Sequence, residues 1–263
     1  MQVILIPGFN PSPYTGAGNN TYLILGREPI LIDAATGRSE HLNALSDALS
    51  DARLANVVVT HGHIDHVSGA ERLASRWPEA RFHKKPWPEQ DTRYVVDWSA
   101  IGHNDLLPAG DTELRVVATP GHAPDHICLY EQGSRTLFCG DLVIQGQTVV
   151  IPGSRGGNLS SYLDSLALVR ELRPCRVLPA HGPEISDLSS LVDEILSHRT
   201  MRETQIVTQL QQGRMSIAEL VDRVYDMLSD DLRAAACDSV LAHLVKLRDE
   251  GRAQERDDHW TLT

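Results

Sequence analysis

Short runs of β-branched and other apolar residues alternate with amphipathic stretches over roughly the first 180 residues. Residues 3–6, 21–25, 30–32, 57–59, 114–118, 127–131, 136–139 and 176–178 read as strands, and 39–50, 69–76 and 160–172 as helices. This alternation predicts a mixed α/β domain. Several strands are followed within a few positions by a polar residue able to do chemistry: Asp33, His61, His122, Asp141 and His181. Layered α/β folds build sites in such places, because a rigid sheet positions the loops at its strand ends.

After His181 the pattern changes. Residues 185–213 read as one long helix, apolar at Leu188, Leu191, Val192, Ile195 and Leu196 and again at Ile206, Val207 and Leu210. A second helix is expected from the capping box Ser216-Ile217-Ala218-Glu219 to about Leu228, and a third from near Ser229 to Gly251, a C′ glycine. The tail from 252 to 263 is set to close a small β-hairpin. Helices followed by a hairpin predict a winged-helix-like unit, so the chain divides into residues 1–198 and 199–263.

Composition adds limits. The chain has 263 residues, 41% hydrophobic and 22% charged, enough for a substantial core. A formal net charge of −11 works against non-specific binding to nucleic acid or anionic membrane. From His198 onward nine Lys or Arg stand against twelve Asp or Glu, a net of −3. DNA-binding winged helices are usually basic, so this segment is expected to pack, dimerise or shape a substrate cleft. His198, Arg199 and Arg202 form a local basic knot. It reads as a solvated helix face before it reads as a greeting for an anionic substrate. Cys128, Cys139, Cys175 and Cys237 show no C-x-x-C pairing, consistent with reduced thiols. The N-terminus lacks the charge pattern of a signal peptide, and no apolar run approaches the roughly 18 residues of a membrane span. A cytoplasmic protein is expected.

Residues 60–66, THGHIDH, carry the densest chemistry. Zinc takes imidazole and carboxylate donors, and two histidines at i and i+2 of an extended turn can converge on one ion. The Asp-His that follows supplies more donors than one tetrahedral ion needs, which points to two metals. Further donors stand in matching contexts: His122 in ATPGHAPDH, Asp141 in LFCGDLV and His181 in LPAHGP, each after a β-rich run and beside a glycine.

H-x-H-x-D-H, then T-P-G-H, G-D and A-H-G-P, in this order, resembles the metallo-β-lactamase superfamily, an αββα sandwich with its site at one edge. The resemblance implies that His61, His63 and His122 hold the first metal, that Asp65, His66 and His181 hold the second, and that Asp141 bridges them. Residues 10–24, NPSPYTGAGNNTYLI, the SHRTMRE stretch and HLVKLRDEG near the C-terminus further resemble the β-lactamase-like protein 2 group, with its C-terminal winged-helix-like domain. Two positions depart from the pattern. Ala34-Ala35 replaces a common Thr-Gly, which is expected to relax packing beneath the site, and Gly62 replaces a bulkier residue, which is expected to widen the mouth.

The resemblance implies hydrolysis by a hydroxide shared between two zinc ions, with Asp65 orienting it and carrying a proton to the leaving group. Manganese or iron would also suit the N/O donors. The expected substrate is a small or medium molecule with an ester, thioester or similar bond; the alternative, implied by animal members of the group, is endonucleolytic cleavage of single-stranded RNA. His126 is read as local packing or substrate contact, and Asp33 as a support for the site. Asn19, Asn20 and Tyr22 divide evenly between strand-entry capping and substrate contact. GSRGGN, residues 153–158, lacks the Lys-Ser or Lys-Thr of a P-loop and is read as a flexible loop or lid.

Overall fold

The computed structural model describes residues 1–13, 15–225 and 228–263, with backbone only at 230 and 231. Strands β1 (Gln2–Pro7), β2 (Asn20–Leu25), β3 (Ile30–Ile32), β4 (Asn56–Val59), β5 (Arg81–Lys84) and β6 (Trp98–Ala100) lie side by side in that order. A second sheet holds β7 (Leu106–Ala109), β8 (Thr112–Ala118), β9 (Ile127–Glu131), β10 (Thr136–Gly140) and β11 (Arg176–Pro179), in the order β11-β10-β9-β8-β7. All eight expected strands form within a residue or two of their predicted ends.

The period of two along each strand builds three apolar interfaces between layers. Tyr22, Ile24, Ile30, Ile32 and Val58 of the first sheet meet Leu114, Val116, Ile127, Leu129 and Phe138 of the second. The alternate residues Leu23, Leu31, Val57 and Val59 face outward, where helices α1 (Ser39–Leu49) and α3 (Ala70–Arg76) cover them. On the other side Cys128, Leu137, Cys139 and Val177 are covered by α5 (Leu159–Glu171) and the first half of α6 (Leu188–Leu210). The result is a four-layer αββα sandwich. Two short helices, α2 (Ile64–Val67) and α4 (Pro88–Asp91), lie in its loops.

Helix α6 starts at Leu188, not at 185. Asp187 caps it by accepting from the Ser190 N–H, while Ile185 bridges to Val177 as an extension of the sheet. Its second half, with α7 (Ile217–Val224), α8 (Asp230–Asp249) and the hairpin β12 (Ala253–Arg256) and β13 (His259–Leu262), surrounds a separate cluster centred on Leu220, Val240, Leu244 and the fully buried Trp260. The capping box at Ser216 and Glu219 is present. α7 ends at Val224, short of the expected end near Leu228, because Tyr225 turns to extended backbone; residues 226–227 lie outside the described residues. Among the described residues, no helix is long and apolar enough to cross a membrane.

The basic knot is not a solvated face. Arg199 is 4% exposed, and Arg202 lies over the Tyr225 ring and donates to the Val224 carbonyl. Glu203, one turn on from Arg199, accepts from Lys246 at 2.8 Å and Arg252 at 2.9 Å. The His243 ring, its Nδ1 3.8 Å away, together with these two cations holds the Glu203 carboxyl down to about 2, against the opposing effect of burial. A depressed carboxyl stabilises the fold fully above its ordinary value of 4.5, and the contribution is lost as pH falls toward 2. Glu203→Gln is therefore expected to lower the thermal midpoint at pH 7, with the gap to wild type closing below pH 4.5. Equal midpoints at pH 7 would refute this.

Candidate metal centre

The expected donors come together at one edge of the sandwich, off the carboxyl ends of β4, β8, β10 and β11. In the second sheet the three donor-bearing strands point the same way, since β10 pairs parallel with β11 and β8 lies two antiparallel steps from β10. His61 and His63 follow β4; His63 is the N-cap of α2, and Asp65 and His66 ride on its first turn. Asp141 follows Gly140, which adopts φ +50°; a Cβ there would lie 2.7 Å from His126 Nε2, so only glycine fits.

Among the described residues, three groups have donor atoms within 4.8 Å of one another: His61 with His63 and His122, His61 with His66 and Asp141, and Asp65 with His66 and His181. Asp141 reaches donors on both sides of the centre. Its Oδ1 lies 3.4 Å from both His66 Nε2 and His181 Nε2, and its Oδ2 3.6 Å from His122 Nε2. Asp65 Oδ2 lies 3.4 Å from His66 Nε2 and 3.3 Å from His181 Nε2.

Hydrogen bonds behind the donors select tautomers. The Asp33 oxygens accept from the Thr60 N–H and hydroxyl and, at 2.9 Å, from His66 Nδ1, which frees His66 Nε2. The Thr60 hydroxyl, donating to Asp33, accepts from His61 Nδ1 at 3.1 Å. His122 Nδ1 donates to the Val150 carbonyl at 2.7 Å. Such partners orient imidazoles toward a cation. The His122 Nε2 and Asp141 Oδ1 atoms are buried without a hydrogen-bond partner among the described residues. Leaving such atoms unpaired costs free energy, so the set fits divalent cations, whose donors must be unprotonated imidazoles and carboxylates.

The electrostatics agree. Burial lowers His61 and His122 and takes His63 to about 3, so these three stay neutral. Burial also works against charge on His66 and His181, yet Asp141 and Asp65 raise His66 well above its ordinary value and His181 to about 9. Burial would raise Asp65 and Asp141, and the His66 charge beside them overrides it. The two carboxylates therefore draw positive charge to the centre.

His126 makes no direct contribution to the donor groups. Its Nε2 accepts from the Asp141 N–H at 3.0 Å and its Nδ1 pairs with the Thr119 hydroxyl, so it braces the Asp141 turn. Asn19 Nδ2 donates to Asp65 Oδ2 at 3.2 Å, while Asn20 and Tyr22 donate to the carbonyl of Pro179, the last residue of β11, and Asn20 also to that of Gly182, next to His181. The NNTY stretch is thus a tether across the centre, more than a strand cap. Neither departure acts as expected. Ala34 and Ala35 are fully buried, and a Cβ on Gly69 would stand 2.0 Å from the Ala34 carbonyl oxygen, so the backbone is closely packed there. The space beside Gly62 is taken by Trp87, whose ring edge lies 3.1 Å from where a Cβ would stand and whose ring meets His63 edge-on. Residues 153–158 are no free lid: Gly153–Arg155 is a 3₁₀ turn seated on α8, and Asn158 caps α5.

Comparison with known proteins matches this architecture. The metallo-beta-lactamase superfamily profile fits residues 14–181, and that of the beta-lactamase associated winged helix domain fits residues 216–260. The chain is 31% identical over 259 residues to a Beta-lactamase-like protein 2 homolog of Caenorhabditis elegans, covering 95% of this chain and 85% of that one. It is 30% identical to an Atrochrysone carboxyl ACP thioesterase of Passalora fulva, over 95% of this chain and 77% of that one. The crystal structure of a metallo-beta-lactamase family protein from Thermus thermophilus superposes with a TM-score of 0.80, at 22% identity, over 99% of this chain and 98% of the other. With a profile over more than half its length and relatives along nearly all of it, the chain belongs to the metallo-β-lactamase superfamily, in the β-lactamase-like protein 2 group, and is a hydrolase of that fold.

Proposed function

We propose that the protein is a dinuclear zinc thioesterase. His61, His63 and His122 would hold one ion, Asp65, His66 and His181 the other, with Asp141 shared. Bound divalent ions supply an activated water at neutral pH and polarise the scissile carbonyl. The chain's own groups do the rest. Asp65, its side chain 27% exposed, orients the attacking water and moves its proton to the leaving thiolate. Asn19 fixes the Asp65 carboxylate, and the Trp87 ring walls the mouth beside His63 and offers an apolar face to an acyl chain. In this reading residues 1–198 carry the chemistry and residues 199–263 brace it.

The observation that carries the reading is the set of three adjoining donor groups, in a chain similar to a protein named Atrochrysone carboxyl ACP thioesterase. RNA is disfavoured because the basic pair nearest the junction is spent internally, Arg199 on the Val149 carbonyl and Arg202 on Val224. The test is thiol release from an acyl thioester by zinc-loaded protein, with end-labelled single-stranded RNA in parallel. Thioester cleavage abolished by chelator supports the proposal; RNA cleavage without thioester cleavage overturns it.

Metal removal also has a stability readout. An ion held at about 100 times its dissociation constant stabilises the fold by about 2.7 kcal/mol. At about 2–4 °C per kcal/mol for a chain of this size, chelation is expected to lower the melting midpoint by roughly 5–10 °C, and zinc to restore it. A midpoint indifferent to chelator would speak against bound metal.

A further inference from the structure

Each of three donor histidines has its second nitrogen held by a neighbour, but not by equally firm ones. His66 and His61 lean on Asp33 and Thr60, at the ends of β3 and β4. His122 leans on the Val150 carbonyl, in a stretch whose regular structure is a single 3₁₀ turn and which contains Gly146, Gly153, Gly156 and Gly157. A glycine-rich loop of this kind does not hold a carbonyl in place by itself.

The anchors come from the C-terminal third of the chain. One residue before Val150, the Val149 carbonyl accepts from Arg199 Nη2 on α6. Four residues after it, Asp238 on α8 accepts from the Ser154 N–H and hydroxyl and from Arg155. The turn lies directly on α8: a Cβ on Gly153 would stand 3.1 Å from the Ala242 nitrogen and 3.3 Å from the Asp238 carbonyl oxygen. Val149, Ile151 and Ala242 share one buried cluster.

Arg199 reaches the centre a second way. Its guanidinium lies 5.5 Å over the Tyr162 ring. The Tyr162 hydroxyl donates to the carbonyl of Leu142, next to Asp141, and the Tyr162 backbone fits against Gly121, next to His122, where a Cβ would come within 2.4 Å. One buried side chain from α6 thus bears on both loops that carry the His122 and Asp141 donors. A guanidinium suits the task, because its planar fork can donate to a carbonyl and stack on a ring at once.

We infer that Arg199 and Asp238 are positioning residues that hold the Val150 carbonyl against His122, so that the C-terminal helices form part of the metal centre and set the affinity of the His61, His63 and His122 group for its ion. The inference rests on the proposed role of His122 as a ligand.

The test is a Zn²⁺ titration of the full chain in competition with a chromophoric chelator, on wild type, Asp238→Ala, Asp238→Asn, Arg199→Met and, as a control within the wing, Arg214→Ala. Loss of a partner that orients a metal-bound histidine typically costs 10–100-fold in affinity. Asp238→Ala is expected to weaken one zinc equivalent by about that factor and leave the other within about twofold. Asp238→Asn, which keeps an acceptor for Ser154, and Arg214→Ala should titrate like wild type. Arg199→Met should weaken the same equivalent at least as much; if it fails to fold, Asp238→Ala decides alone. Asp238→Ala binding both equivalents like wild type overturns the inference while the dinuclear reading stands. Equal weakening of both, with a lowered melting midpoint, also overturns it, as general loosening. A wild type that takes up no zinc removes the dinuclear reading and this inference with it.

Discussion

Asp65→Asn is expected to lower kcat for thioester hydrolysis by about 10²- to 10⁴-fold, the range a positioned proton carrier contributes. The side chain sits on the first turn of α2, at the open edge of the centre, with Oδ2 held by Asn19 and facing His66 and His181. Although burial opposes it, the neighbouring His66 charge and the His181 ring, its Nε2 3.3 Å away, hold the carboxyl well below the usual carboxylate range, so it is ionised at neutral pH. Asparagine keeps the shape and one acceptor oxygen but removes the charge and the capacity to take a proton. The His61, His63 and His122 group is untouched by the change, so one zinc equivalent should bind as before. Two outcomes separate the roles assigned to Asp65. Lost activity with both ions still bound isolates the proton carrier; lost activity with one ion missing, restored by Asp65→Glu, isolates the ligand. Unchanged kcat would remove Asp65 from the mechanism.

Much of the sandwich was legible because its strands are buried on both faces and so read as unbroken apolar runs, as in Val57-Val58-Val59 and Ile127-Cys128-Leu129. β5 was not. Its sequence, Arg81-Phe82-His83-Lys84, looks polar, yet Lys84 is 2% exposed, held by Asp91 at 2.5 Å and Asp125 at 2.7 Å, partners that sequence position does not announce. β6 and β7 are three- and four-residue strands at sheet edges, too short for a period to show. The donors were legible because their residue types and order are unusual. Their supports were not, since a Thr60 hydroxyl or a Val150 carbonyl is ordinary until folding brings it to an imidazole. Arg199 misled for the same reason: in Ser-His-Arg-Thr-Met-Arg it looks like a solvated helix face, and its burial depends on Tyr162 and Val149, which lie 37 and 50 positions away in the chain.

The second large effect is expected at Asp33→Asn, where a change of one atom reverses a tautomer. Asp33 Oδ1 accepts from the Thr60 N–H at 2.8 Å, and Oδ2 from His66 Nδ1 at 2.9 Å. Asparagine must keep its oxygen toward the Thr60 N–H, because that donor is main chain and cannot turn away. Its NH₂ then faces His66 Nδ1, which can only accept, so the proton moves to Nε2, the atom aimed at Asp141 and Asp65. A protonated Nε2 has no lone pair for a metal. The zinc equivalent that depends on His66 is therefore expected to weaken by at least the 10- to 100-fold typical of a lost orienting partner, with activity falling in step. The opposite choice, oxygen toward His66, would set two donors against each other at Thr60 in a fully buried site and appear as lost stability instead. Thermal midpoint and zinc titration on the same sample distinguish the two. Wild-type values in both would show that Asp33 does not select the His66 tautomer.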